Sequence, residues 1–161
     1  MKSQDLVGEL KIRARVRLNT ARREGAEPAG TLRDQLHTAA RETGFADWAH
    51  ARHVLGGAAG CGEDMGSFWH APRTGILLHI WFARHEEAAA VLADDPEGFL
   101  LPYRRQCFIV QAPFITALGL DASDAAWAAM GRDLCAGYGS AAWRHLAWQR
   151  LRAPLLSFAR V

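Results

Sequence analysis

Two histidines near the middle of the chain, His70 and His79, are the residues whose types and spacing best suit chemistry. They lie in residues 67–87, SFWHAPRTGILLHIWFARHEE, which hold three of the seven histidines of this 161-residue sequence. Short apolar runs on either side of residues 72–75 (PRTG) predict two strands joined by a tight turn. If that turn has two central residues, His70 and His79 project from one face of the hairpin as diagonal neighbours.

A hairpin face that carries two imidazoles suits acid–base chemistry, and we predict His70 and His79 as the catalytic residues. Trp81 and Phe68 share this predicted face, and Trp81 is a candidate for contact with a ligand. The opposite face is predicted to be core and contains Trp69, Leu78, Ile80 and Phe82. A shift of one residue in register would separate the two histidines. The alternative is a half-buried face on which both imidazoles hydrogen-bond locally.

A divalent transition metal is a second interpretation of the same face. Imidazole nitrogens on rigid strands suit zinc, iron or copper, but two histidines need a third ligand. Asp64 and Cys107 are the nearest candidates, and no spacing rule selects either of them. The predicted metal ligands are therefore His70, His79 and Asp64.

Arg104 and Arg105 are predicted to anchor an anion. They follow Pro102 and Tyr103 at the entrance of a predicted strand at 106–110, QCFIV, and strand ends commonly border pockets. The planar guanidinium group suits carboxylate or phosphate. Because adjacent strand residues face opposite ways, we expect at most one of the two arginines to face a pocket. The alternative is an ion pair with the acidic middle of the chain.

The three cysteines, Cys61, Cys107 and Cys135, are widely spaced and include no CxxC pair. This spacing matches neither a disulfide framework nor a cysteine-rich zinc site, and reduced thiols in a cytoplasm are expected. Cys107 lies beside Phe108 in the predicted strand, where a thiol is usually an inert apolar group. It would be a nucleophile only if a histidine lay beside it.

The N-terminal segment is basic, and its pattern fits two kinds of local structure. Residues 10–18, LKIRARVRL, alternate apolar and basic side chains, as a half-buried strand does. Leu6, Leu10, Ala14 and Leu18 recur at helical spacing in the same stretch, so we predict a helix.

Two further helices are predicted from local stop and start signals. Thr31 begins a capping box for a second helix, which Gly44 ends. Asp47 is expected to cap a third helix that ends at Gly56. Residues 56–62, GGAAGCG, then have the composition of a flexible linker.

The same segment carries a resemblance. Residues 13–23 are basic, and they are followed by Gln35, by AAR at 39–41 and by GFADW at 44–48. On these residues the segment 11–56 resembles a helical module that precedes other domains in many uncharacterised bacterial proteins. The resemblance covers under a third of the chain and implies a helical fold, but no activity, so no functional residue is transferred.

Nucleic-acid binding is the alternative function raised by the basic first helix. Residues 39–55 weakly resemble a helix-turn-helix, whose arginines would contact bases while those of the first helix contact phosphates. The supposed recognition helix is short and has one arginine, which equips it poorly for reading bases. The candidate nucleic-acid residues are Arg13, Arg15, Arg17, Arg41 and Arg52.

The predicted fold class is α+β, with a small, mostly antiparallel sheet and covering helices after a three-helix N-terminal module. The predicted division is a helical module at 1–56, a linker at 57–63 and an α+β domain at 64–161. The longest apolar run has eight residues, which is too short to cross a membrane. The charge is uneven: residues 63–133 carry a net −5, and both ends are basic.

We therefore expect a cytoplasmic protein that binds a small anionic ligand in the α+β domain and can act on it. The nucleic-acid-binding or regulatory protein remains the alternative, and a structural interaction module is a third interpretation. The sequence contains no GxSxG, HExxH or glycine-rich phosphate loop, so the question of enzyme activity stays open. No membrane association is expected, and a homo-oligomer is not excluded by the sequence.

Overall fold

Seven helices and one three-stranded sheet make up the regular structure of the described residues. The computed structural model describes residues 5–25, 30–60, 62–71, 77 and 79–153. The helices are α1 (Leu6–Arg23), α2 (Leu32–Thr43), α3 (Trp48–Leu55), α4 (His85–Ala93), α5 (Ala112–Ala117), α6 (Ala125–Ala129) and α7 (Ala141–Arg152), and the strands are β1 (His79–Phe82), β2 (Phe99–Tyr103) and β3 (Gln106–Val110). The α+β class is confirmed. Within these ranges, no helix is long and apolar enough to cross a membrane.

Helix α1 resolves the ambiguity of its alternating sequence. Leu6, Leu10, Ala14 and Leu18 are its buried residues. Their spacing of four places them on one side of the helix, which packs against α2, α3 and α7. The cap residue Asp5 accepts a hydrogen bond from the first-turn backbone, as helix N-termini require. The predicted helix is therefore confirmed, and the alternation of basic residues reflects the solvent-facing sides.

Helices α2 and α3 begin and end at the predicted residues. Thr31 and Asp34 exchange both hydrogen bonds of a capping box. Gly44 ends α2 with a φ of 105°. A Cβ at Gly44 would lie only 2.8 Å from the Phe68 amide nitrogen, so this position needs glycine for its conformation and for its close approach. The Asp47 carboxylate then caps α3.

The sheet is antiparallel with the strand order β1-β3-β2. Strands β2 and β3 form a hairpin whose two-residue loop is Arg104 and Arg105, because Tyr103 pairs with Gln106. The outer edge of β2 forms an isolated parallel bridge between Leu100 and Asp133. Strand β2 therefore pairs with β3 on one edge and with Asp133 on the other. Its proline, Pro102, lies opposite Cys107 in the β2–β3 pairing.

The hairpin predicted for residues 67–83 is wrong within the described residues. Residues 67–70 form a turn, and β1 pairs with β3 instead of with its predecessor in sequence. The predicted turn at 72–75 lies outside the described residues. Strand β2 explains the error: it was not predicted, and with β3 it supplies the hairpin that β1 joins. Ile80, expected in the core, is 51 % exposed.

The two faces of the sheet pack against different layers. Alternation along β2 and β3 sends one set of side chains into the main core, namely Phe99, Leu101, Phe108 and Val110. The other set lies under α4 and consists of Leu100, Cys107 and Ile109, packed against Ala88 and Leu92. The main core also contains α1 to α3 side chains, so both predicted domains contribute to one apolar cluster.

A buried arginine on α7 holds the turn that precedes the sheet. The Arg150 guanidinium donates to the backbone carbonyls of Phe68, Leu118 and His70 at 3.0, 2.9 and 3.4 Å. The Arg150 side chain is fully buried. Burial lowers the pKa of Arg150 to about 9, so the group stays charged at neutral pH. These bonds fix the direction in which the turn presents its side chains.

Replacing Arg150 with methionine is expected to destabilise the fold strongly. Methionine keeps much of the side-chain volume but leaves buried carbonyls without their donor, at about 1–3 kcal/mol each. We expect a loss of about 3 kcal/mol or more in the free energy of unfolding, measured by urea denaturation. The control is Arg144→Met on the same helix, where the arginine is exposed. Equal stabilities of the two variants would contradict the role given to Arg150.

Candidate functional site: an arginine-rimmed pocket with two thiols

The predicted histidine pair does come together, although by a different route from the hairpin. His79 and Trp81 alternate along β1 toward the main-core face of the sheet, and His70 approaches from the 67–70 turn. The rings of His70 and His79 lie 6.3 Å apart between centroids, and Trp81 lies 6.3 and 5.9 Å from them. The cluster also contains Tyr103, Phe108 and Phe114. Phe68 instead stacks on Phe45.

The surroundings of this histidine cluster favour the neutral imidazole of His70. Burial lowers the pKa of His70, and the like charges of His79 and Arg150 lower it further. The buried Nδ1 of His79 has no hydrogen-bond partner among the described residues. The lowered pKa keeps the His70 imidazole neutral at neutral pH, which limits the use of His70 as a general acid there.

The predicted metal set is not assembled in the part of the chain that the structure describes. No group of three or more histidine, cysteine, aspartate or glutamate side chains in those residues is arranged to hold a metal ion. Asp64, the proposed third ligand, accepts a hydrogen bond from the Gly66 amide at 2.8 Å, within its own turn. His70 and His79 therefore have no carboxylate partner from Asp64.

Arg104 and Arg105 occupy the β2–β3 turn, and both line a pocket. We expected only one of them to do so, because we placed them on a strand, where neighbours face opposite ways. The Arg104 backbone also pairs with the preceding loop: its amide donates to Gly66 and its carbonyl accepts from Met65, at 2.8 and 2.9 Å. Arg104 has a φ of 52°, which the tight turn requires. Both residues are exposed and line the pocket, and the Arg104 guanidinium lies 5.4 Å from the centre of the Tyr103 ring.

This pocket has a volume of about 540 Å³ and lies on the α4 side of the sheet. Four parts of the chain line it: residues 59, 60, 62, 63 and 65, the β2–β3 turn, residues 83–86 at the start of α4, and residues of the 135–138 segment. The first of these overlaps the predicted linker, and Tyr138 holds it at Ala59. The Tyr138 hydroxyl donates to the Val54 carbonyl at 2.5 Å and accepts from the Ala59 amide at 3.1 Å.

The pocket wall holds two cysteines. Cys107 on β3 and Cys135 in the 131–140 loop place their sulfur atoms 3.6 Å apart, and both are thiols. A hydrogen bond from Cys135 lowers the pKa of the Cys107 thiol, and burial opposes that change. The charge of His85 also lowers the pKa of Cys107, whereas the charge of Asp133 raises it. His85 and Cys107 line the same pocket.

An aspartate orients this histidine. The Nε2 atom of His85, at the first position of α4, lies 2.7 Å from Oδ2 of Asp133. The other carboxylate oxygen of Asp133 accepts hydrogen bonds from the amides of Cys135 and Ala136, at 2.9 and 3.0 Å. One buried carboxylate therefore positions both the imidazole and the loop that carries the second thiol.

Sequence reasoning missed most of this site. His85 and Asp133 are 48 residues apart, and Cys107 and Cys135 are 28 apart, so no spacing rule joins them. The sequence signals that existed were Arg104, Arg105 and the conditional role of Cys107. His70 and His79 are not among the residues that line this pocket. The Arg104 guanidinium lies 5.4 Å from the centre of the Tyr103 ring, and Tyr103 in turn contacts His70, so Arg104 borders both the pocket and the histidine cluster.

The candidate nucleic-acid arginines fall into two groups. Arg13 donates to the Leu151 carbonyl and pairs with Glu9, and Arg17 pairs with the Glu42 carboxylate. These two arginines stabilise contacts within the protein. The remaining three are exposed, on α1, α2 and α3, and are Arg15, Arg41 and Arg52.

Comparison with known proteins adds no assignment: no family model, curated protein or solved structure matches this chain. The resemblance of the N-terminal helices to a bacterial module therefore stays a prediction. The candidate site is defined by its own geometry.

The partly buried position of His70 predicts a contribution to acid sensitivity. Since the folded-state pKa of His70 is lowered, the unfolded chain binds its proton first as the pH falls. The stabilising effect of keeping His70 neutral is complete above an unfolded pKa of about 6.5 and is lost as the pH falls below it. We expect His70→Gln to lose less stability than the native protein between pH 7.5 and 5.5 in urea denaturation. The difference in unfolding free energy between the two proteins at pH 7.5 controls for altered packing. If the two proteins lost the same stability as the pH fell, the lowered pKa of His70 would be contradicted.

The thiol pair predicts a measurable change in the reactivity of Cys107. Replacing Cys135 with alanine removes a hydrogen bond to the Cys107 thiolate, so the pKa of Cys107 is expected to rise. The pH–rate profile of iodoacetamide alkylation at Cys107, read by peptide mass spectrometry, is then displaced to higher pH. Ser140→Ala, outside the pocket, is the control. An unchanged profile in Cys135→Ala would show that the thiols do not interact.

Proposed function

We propose that this protein binds a small anionic molecule in the pocket between the β2–β3 turn and the start of α4. The observation that carries the proposal is the placement of three arginines, Arg84, Arg104 and Arg105, around one cavity. Guanidinium groups from separate segments that converge on a cavity can bind carboxylate or phosphate with paired hydrogen bonds. A volume of about 540 Å³ accommodates a small metabolite.

The acidic side chains in the pocket do not cancel this positive charge. Glu63 is paired with His53 at 2.7 Å, and that hydrogen bond lowers the pKa of the Glu63 carboxyl. Glu86 lies in the first turn of α4, where the helix dipole favours a carboxylate. No acidic side chain of the described residues lies within ion-pair distance of Arg104 or Arg105. The charge of Arg105 contributes to the lowered pKa of Glu63, and the Arg104 guanidinium lies over the Tyr103 ring.

The histidine cluster is not needed for this binding. His70 and His79 pack with aromatic residues on the far side of the sheet, as described above. Their predicted acid–base role would require a second ligand site, on the main-core face. The nucleic-acid alternative likewise keeps only Arg15, Arg41 and Arg52 as exposed contacts. We favour the pocket because three arginines line one cavity.

Titration with citrate and with inorganic phosphate tests the anion site. In amide NMR spectra, we expect saturable shifts confined to pocket-lining residues, namely 59, 60, 62, 63, 65, 83–86 and 104–107. The double variant Arg104→Gln/Arg105→Gln is expected to bind at least about tenfold more weakly, because each lost charge-assisted hydrogen bond contributes about 1.5–3 kcal/mol. The matched control is Arg15→Gln/Arg52→Gln, which removes the same charge from exposed positions outside the pocket. Equal weakening in both double variants, or shifts without saturation, would rule out a specific site.

A further inference from the structure

We infer that Cys107 and Cys135 form a redox-active dithiol that reduces a small anionic disulfide held by the pocket arginines. The dithiol chemistry rests on the two sulfur atoms and their neighbours, while the anionic character of the substrate rests on the function proposed above. The substrate class is a low-molecular-weight disulfide whose two halves carry carboxylates. The protein would oxidise its own thiols in each turnover and would be reset by a small thiol.

The sulfur atoms are close enough to bond after a small movement. Their separation of 3.6 Å must fall to about 2.05 Å, an approach of about 1.5 Å. Cys107 is fixed in the middle of the sheet, where it pairs with both Phe82 and Pro102. Cys135 belongs to an irregular loop and is the more exposed of the two. A rotation of the Cys135 side chain, with a small loop shift, can supply the approach.

The neighbouring groups suit thiol–disulfide exchange. The attacking species in such an exchange is a thiolate, and a nearby positive or hydrogen-bond-donating group raises its population. Cys135 supplies the hydrogen bond to Cys107, and the His85 imidazole supplies the charge and a proton for the leaving group. Asp133 holds that imidazole at 2.7 Å, which fixes its orientation.

The exchange proceeds in two balanced steps. The Cys107 thiol first gives its proton to His85, and the resulting thiolate attacks one sulfur of the bound disulfide. A bond forms between the Cys107 sulfur and that substrate sulfur, and the substrate S–S bond breaks. The departing thiolate takes a proton from His85. Cys135 then attacks the Cys107 sulfur, the intramolecular disulfide forms, and the second substrate thiolate leaves with the remaining proton. The two protein thiols are oxidised by two electrons, and one disulfide is reduced to two thiols.

Equilibration with glutathione buffers tests the dithiol. The protein is prepared as Cys61→Ser, so that the third cysteine cannot compete, and is mixed with fixed totals of reduced and oxidised glutathione. After acid quenching and alkylation, mass spectrometry should show a Cys107–Cys135 linked peptide whose fraction follows the glutathione ratio. Adding Cys135→Ser should trap one glutathione on Cys107. Adding Cys107→Ser should slow adduct formation by at least about tenfold.

Two results would overturn the dithiol. One is independent glutathionylation of both cysteines without a linked peptide. The other is persistence of both thiols in excess oxidised glutathione while circular dichroism shows a folded protein. Trapping on Cys135 in Cys107→Ser, with Cys135→Ser unreactive, would overturn Cys107 as the attacking group.

Comparing a charged with an uncharged disulfide tests the dithiol and the anion site separately. Native protein should react at least about tenfold faster with oxidised glutathione than with hydroxyethyl disulfide, and Arg104→Gln/Arg105→Gln should lose that preference. Equal rates with both disulfides would contradict the inferred preference for an anionic substrate, but would not contradict the dithiol chemistry. Saturable citrate binding without a Cys107–Cys135 linked peptide would support the anion site and contradict the dithiol, because the pocket would then bind anions without redox chemistry.

Discussion

The buried guanidinium of Arg150 is the interaction on which the central part of the structure depends. A charge removed from water costs several kcal/mol unless its donors are satisfied, and here backbone carbonyls from two distant segments satisfy them. The same bonds hold the turn at 67–70, so Phe68 and Trp69 enter the core and His70 reaches the sheet. A turn with no regular structure of its own is thereby given one conformation.

A three-stranded sheet covered on both faces creates two separate environments. The main-core face is aromatic, and its histidines are held among rings. The face under α4 is thinner, since that layer is a single helix of nine residues. Cys107 lies near the start of α4, where the helix no longer covers this face of the sheet. A thiol in an ordinary strand position therefore becomes part of a pocket wall.

The pocket forms where separate loops meet at one end of the sheet. Asp133 is placed by the parallel bridge that the 132–134 segment forms with β2, since Leu100 exchanges backbone hydrogen bonds with Arg132 and Leu134. That bridge brings the loop with Cys135 beside β3 and the acid beside His85. The arginine rim follows from the two-residue turn of the neighbouring hairpin. Charge, thiols and imidazole thus meet because backbone pairing aligns three loops at one end of the sheet.

Local chemistry in the sequence determined much of this protein by itself. The capping residues Thr31 and Asp47, and the terminating Gly44, each act on backbone groups within a few residues, so the helices they bound could be predicted. Strand β3 was predicted for the same reason, from its own apolar run.

Strand pairing and the site were decided only by the tertiary structure. Strand β1 had a predicted partner next to it in sequence, but Arg150 holds that segment as a turn, and the unpredicted β2 completes the sheet. His70 and His79 still lie close together, because both side chains pack on the main-core face of the sheet. The contact between Cys107 and Cys135 and the pairing of His85 with Asp133 depend on long-range backbone hydrogen bonds. No local pattern encodes those bonds, because each partner is selected by packing across the whole chain.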